Sequence, residues 1–276
     1  MADTPEIPVY EIDISASNIA FEVRINDIPV LRLPAGRVRT AFDVNTCVVD
    51  GDNTVSLLLR PRGRDFSPHA ECSVEVRRRA RPNAEEAEDL GTLTFSAEAV
   101  PAATGFDPSS PVEGCGPVQV ERWGVRGTMK FVAEGAFGPW SFSEAEVLAP
   151  SEALRAEVLD AYRAIHALLS SRSAAKLTAW CALQIADLRR AYALPSEEHA
   201  RRMLGIAQLL ADPSISIDPF PGSLLGLEVV AGGRLVHLVD AEGKSPITLR
   251  SKDAPSAVGR FTCMLCKTGD GWQIAR

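Results

Sequence analysis

From Val9 to Glu134 apolar and polar positions alternate in short runs, the two-residue period of half-buried strands. Tyr10, Ile12 and Ile14 share one face and Val9, Glu11 and Asp13 the other. Phe21, Val23 and Ile25 then oppose Glu22, Arg24 and Asn26. Asn26-Asp27 predicts a turn, because both residues tolerate the left-handed backbone, and Ile28–Leu33 predicts the return strand. Pro29 puts that strand near an edge. Asp50-Gly-Asp-Asn is a second turn, launching Thr54–Pro61. Further strands are predicted over Ala70–Arg79, Leu90–Val100 and Thr128–Glu134. Short strands with turns between them and no helical period define an antiparallel sandwich. The Pro-, Gly- and Ser-rich stretch Pro101–Gly116 reads as a long loop, mobile or ligand-binding.

After Pro150 the period lengthens. Ser151 stands as N-cap ahead of Leu154, Val158, Ala161, Tyr162, Ile165, Leu168 and Leu169, an amphipathic helix. Ala174–Leu194 predicts a second helix, and Ser196 caps a third that Asp212-Pro213 ends. Strands follow at Leu227–Val230, Arg234–Val239, Pro246–Arg250, Gly259–Lys267 and Trp272–Arg276, joined by Gly-rich turns. Hairpin connections imply an antiparallel sheet. The pattern is α+β: a β-sandwich domain over 1–149, then a helices-then-antiparallel-sheet domain over 150–276.

Composition narrows the function. The chain has 276 residues, 46% hydrophobic and 24% charged, ordinary for a folded protein. Net charge is −7, which argues against nucleic acid, whose phosphates need clustered cations. Residues 1–149 carry 14 Lys/Arg against 23 Asp/Glu, whereas the rest carry 15 against 13. The acidic half therefore suits a basic partner. No apolar run reaches a membrane span, and the acidic start lacks the pattern of a signal peptide. A cytoplasmic location is expected. Cys47, Cys72, Cys115, Cys181, Cys263 and Cys266 are scattered, as small buried residues in a reducing compartment are. Cys263-x-x-Cys266 lacks the second pair of a zinc ribbon, and no metal or cofactor is expected.

Two stretches carry resemblances. F-x-V-x-I-N-D-x-P-V at 21–30 with V-x-D-G-D-N-T-V-x-L-x-L-x-P at 48–61 resembles jelly-roll-like sandwich domains of small toxin-associated bacterial proteins. Arg260–Arg276, with its Thr-Gly-Asp-Gly-Trp hairpin, is similar to the close of the cone-shaped α+β fold of the nuclear-transport-factor-2-like (NTF2-like) superfamily. That resemblance implies that Trp272 plugs the sheet. It also implies a scaffold shared by isomerases, dehydratases and non-catalytic binding domains, so fold does not fix function.

Candidate chemistry is sparse. If the second half were an enzyme, Tyr162, His166, Asp187, Tyr192 and His237 would supply its acid–base groups. His237 lies on the strand face opposite Val236 and Leu238. No nucleotide-binding, zinc-protease or serine-hydrolase motif is present. The expected function is therefore non-catalytic protein binding, most concretely an immunity protein that occludes a secreted bacterial toxin. Its expected contact residues are Asp50, Asp52, Glu85, Glu86, Glu88 and Asp89, read as acidic loops. Two alternatives stand beside it: a small-molecule binder or enzyme in the second half, and a carbohydrate-binding module. The latter would use the aromatic group Trp123, Phe131, Phe137, Trp140 and Phe142.

Overall fold

The computed structural model describes residues 7–61, 66–80, 85–99, 106–108, 114–115, 125–135, 137–222, 224–254 and 258–276. The fold is mixed α+β: an antiparallel β-rich region, then helices, then further antiparallel sheet. It divides into two compact units. One comprises 1–111, 122–140 and 191–193; the other comprises 112–121, 141–190 and 194–276. The expected boundary at 149/150 thus differs from the division found: 141–149 goes with the second unit, and short segments of each half go with the other.

The first unit is built on one long hairpin, β1 (Val9–Ile25) and β2 (Ile28–Asp43). The two runs expected as separate strands are continuous. Even-numbered residues, Tyr10 to Ala16, point into the core first; odd-numbered ones, Ile19 to Ile25, do so afterwards. Such a change of phase needs one extra residue, because a one-residue slip turns every side chain over. Register shifts against β2 on both sides of Ile19 mark it, and Asn18 takes a left-handed φ of 55°. Asn18 Nδ2 donates to the His69 carbonyl at 3.2 Å.

The bulge lets one edge of β1 serve two partners in tandem. β4 (Glu71–Arg79) pairs with Val9–Ser17, and β3 (Gly51–Arg60) pairs with Ala20–Ile25. β5 (Ala87–Ser96) lies outside β4, while β8 (Val125–Ala133) and the short β6 (Phe106–Pro108) lie beyond β3. The Asn26-Asp27 turn forms as expected, with φ of 51° and 66°. It is bound into the fold by Asn26 Nδ2, which donates to Asn53 Oδ1 at 2.7 Å and to the Cys47 carbonyl at 2.9 Å.

In the second unit Ser151 caps α1 (Glu152–Ser170), its Oγ accepting from Leu154 N at 3.1 Å. The second expected helix is split at Cys181 into α2 (Ala174–Trp180) and α3 (Ala182–Ala191). The third is split by Gly205, at φ 71°, into α4 (Glu197–Leu204) and α5 (Ile206–Ala211). Ser196 does not cap α4 with its side chain; its Oγ meets His199 Nδ1 at 2.8 Å.

The expected single meander is two sheets. β10 (Gly226–Val230), β11 (Leu235–Val239), β14 (Leu265–Thr268) and β15 (Gly271–Ile274) form one, with β7 (Gly114–Cys115) beside β10. β9 (Ile215–Ile217), β12 (Thr248–Ser251) and β13 (Val258–Arg260) form the other. Leu227, Val229, Val236, Leu238 and Leu265 share one apolar core with Val158, Tyr162, Ile165 and Leu169 of α1. Fully burying each large aliphatic chain is worth about 1.5–3 kcal/mol.

Candidate functional site

Four of the five side chains expected to form an acid–base pocket take separate partners. Tyr162 is fully buried and its hydroxyl donates to the Cys263 carbonyl at 2.6 Å. Burial drives its pKa well above the ordinary phenol value, with the neighbouring Cys263 adding to the rise. His166 Nε2 contacts the Asp218 carbonyl at 2.8 Å, its ring 5.6 Å from that of Phe220. Asp187 is fully buried; it accepts from Ser141 Oγ at 2.7 Å and from Arg276 Nη1 at 2.7 Å. Arg276 also lies over the Phe142 ring, 4.7 Å away. Tyr192 counts with the first unit, where burial, followed by Asp43 and Cys47, raises its pKa.

His237 does lie opposite Val236 and Leu238, and its Nε2 meets Glu228 Oε2 at 2.9 Å across the β10–β11 pair. Both side chains are buried on the sheet face away from α1. Among the described residues no hydrogen bond joins any two of the five.

The aromatic group is corrected too. Phe131, Phe137, Trp140 and Phe142 are buried, so they offer no open face for a sugar. Trp140 Nε1 donates to the Val48 carbonyl at 2.9 Å. Trp123 and most of the loop 101–116 lie outside the described residues.

The acidic residues are exposed but are not one cluster of loops. Asp50 is at a bend and Asp52 is the second residue of β3, opposite Val132 of β8. Glu85 and Glu86 precede β5, whereas Glu88 and Asp89 are on it, in register with Arg78 and Arg77. Arg78 stands 3.5 Å from Glu88, and Asp89 Oδ1 accepts from Gly91 N at 2.9 Å. Asp50, Asp52, Glu85 and Glu86 form no ion pair among the described residues.

A different place gathers polar groups. The outward face of β2, β1, β4 and β5 forms a shallow concavity of about 790 Å³. Its register sets two rungs across four strands. One is Arg39–Ser15–Ser73–Thr94 and the other is Arg37–Ser17–Glu71–Ser96. Farther along the same face the charges are mutually satisfied: Arg79 binds Glu11, and Arg77 binds Glu75 and Asp13. Arg37 and Arg39 are exposed and have no ion-pair partner among the described residues. The sequence held a sign of this place. Arg37-Val38-Arg39 has strand period, which puts both guanidiniums on one face.

In the second unit, α2–α3 and α4–α5 bound an open groove of about 680 Å³. Ala175, Ala179, Ala182 and Ile185 are among its walls, with Glu198 and Arg202 also lining it. No helix among the described residues is long and apolar enough to cross a membrane. No family model matches the chain, and no curated protein or solved structure matches it.

Proposed function

We propose that the chain is a non-catalytic protein-binding module, in its most concrete form an immunity protein that occludes a bacterial toxin. One observation carries this reading. Tyr162, His166, Asp187 and His237 are each bonded within the fold, and separately, whereas charge without an ion-pair partner among the described residues is spread over exposed strands and turns. Surface charge of this kind steers and aligns a protein partner. In the immunity form, Asp50, Asp52, Glu85, Glu86, Glu88 and Asp89 meet a basic cleft.

The finer fold labels belong to the same proposal. A hairpin whose first strand serves two partners in tandem supports the sandwich, and Trp272, half-buried against the helix–sheet core, supports the NTF2-like resemblance. The experiment is affinity capture from the native organism with mass-spectrometric identification. A stoichiometric protein partner whose toxic activity falls when the chain binds is expected. Repeated capture of no partner would overturn the reading.

The groove between α2–α3 and α4–α5 favours one second reading, a small apolar ligand held by the second unit. None of the five expected acid–base residues lines this groove. Saturable binding of a fluorescent apolar probe, abolished by Ala179→Arg, would support it.

A further inference from the structure

Strand β2 pairs with β1 alone among the described residues. Its other side therefore presents alternate N–H and C=O groups over Gly36–Asp43. Such an edge is a template for another strand, and proteins that leave one open usually arm it with charge. Here the charge is Arg37 and Arg39, both exposed and without an ion-pair partner among the described residues.

The two faces of this edge ask for different things. On the outer face the arginines stand at the rim of the polar concavity, beside Ser17 and Ser15. On the inner face Val38, Thr40 and Phe42 lie opposite Ala16, Ile14 and Ile12 of the core, and all three are only half-buried. A strand laid along β2 would place its alternate residues over these two surfaces in turn. A second copy of the chain fits poorly. Antiparallel pairing centred on Val38 would set Arg37 of one molecule against Arg39 of the other, and like charges directly opposite destabilise a sheet.

We propose that the free edge of β2 over Gly36–Phe42 binds an extended segment of a partner protein in which acidic residues alternate with apolar ones. This rests on the protein-binding reading and names the chemistry of the partner. Backbone hydrogen bonds to the edge supply the attachment, as in other strand additions. Carboxylates two residues apart meet Arg37 and Arg39, and the apolar residue between them covers Val38.

The test uses the full chain and a fluorescent synthetic peptide of alternating Glu and Val, read by anisotropy. Binding is expected to weaken roughly tenfold or more in R37E/R39E, as opposed charges become like ones. The variant should bind the corresponding Lys–Val peptide better than the unaltered chain does. N-methylation of alternate peptide amides should abolish binding, which a purely electrostatic contact would not require. Both arginines are exposed, and a thermal melt confirms that the variant stays folded. The proposal is overturned if the acidic peptide does not bind, if the Lys–Val peptide binds the unaltered chain equally, or if N-methylation has no effect. Sedimentation that finds a dimer through this edge would assign it to a second copy and also overturn it. A native partner captured alike by the unaltered chain and by R37E/R39E sinks the edge assignment while leaving protein binding intact.

Discussion

Asp187, expected among the acid–base residues, is bonded within the fold. The Asp187 carboxylate is fully buried, with Ser141 and Arg276 both donating to it. Removing one partner of such a pair leaves the other charge in a poor solvent, at a cost of about 3–5 kcal/mol. Asp187→Ala should lower the stability of the second unit by that amount in urea titration. A loss under about 1 kcal/mol would show that the pair is dispensable and would return Asp187 to the list of reactive groups. The tyrosines allow a check of sign. Burial raises the pKa of Tyr10, Tyr162 and Tyr192, the three tyrosines of the chain. An unfolded phenol ionises near pH ~10, and the folded ones resist it. Their contribution is therefore complete below about pH 10 and is lost as pH rises past it. Urea midpoints should be flat in this respect up to about pH 9 and fall above about pH 10, less steeply in Tyr162→Phe. Phenolate absorbance rising well before unfolding would contradict this. The thiols of Cys72, Cys181 and Cys263, pushed up to about 12 by burial, should resist alkylation until the chain unfolds.

At the scale of elements, the segment 141–148 has neither the strand nor the helix period, and hydrophobic patterning alone groups it with the first half. Yet it is tied to the second unit by backbone bonds, Glu146 N to the Lys267 carbonyl at 2.9 Å and Leu148 N to the Gly233 carbonyl at 2.8 Å. Gly233 makes that approach possible. Its φ is 87°, and a Cβ there would lie 2.9 Å from the Leu148 carbonyl oxygen. Gly233→Ala should cost about 3 kcal/mol, from left-handed strain plus a backbone clash that no rotamer relieves. The thermal midpoint of the variant decides it; a change within error would mean that the segment is not seated there. Strands and helices were legible because alternation and the 3.6 period are local. The bulge at Asn18 was legible in principle, since the inward phase flips between Ala16 and Ile19. The break at Gly205 was legible as well, because glycine takes the left-handed backbone that ends a helix; the one at Cys181 was not, because no helix-breaking residue marks it. Arg37 and Arg39, without an ion-pair partner among the described residues, stayed hidden for another reason. Whether a cation is free depends on its neighbours across strands, which composition does not show.

For the molecule as a whole, the chain does not divide at one point. Residues 112–121 count with the second unit and 191–193 with the first, although each is distant in sequence from most of its own unit. β7 is the strand beside β10, and Asn45 of the first unit, fully buried, donates to the carbonyls of Pro8 and Ala191 at 2.9 Å each. A cut at 149/150, the boundary that hydrophobic patterning suggests, would leave the C-terminal fragment without the bonds of 141–148 and without β7. Buried backbone groups on β10 and the carboxylate of Asp187 would then lose partners, and unsatisfied buried groups cost about 1–3 kcal/mol each. Fragment 150–276 should therefore melt well below fragment 141–276, and both below the intact chain. The comparison is made by circular dichroism at matched concentration. Equal midpoints for the two fragments would mean that Ser141–Leu148 adds no stability, and that the boundary near residue 150 is the physical one after all.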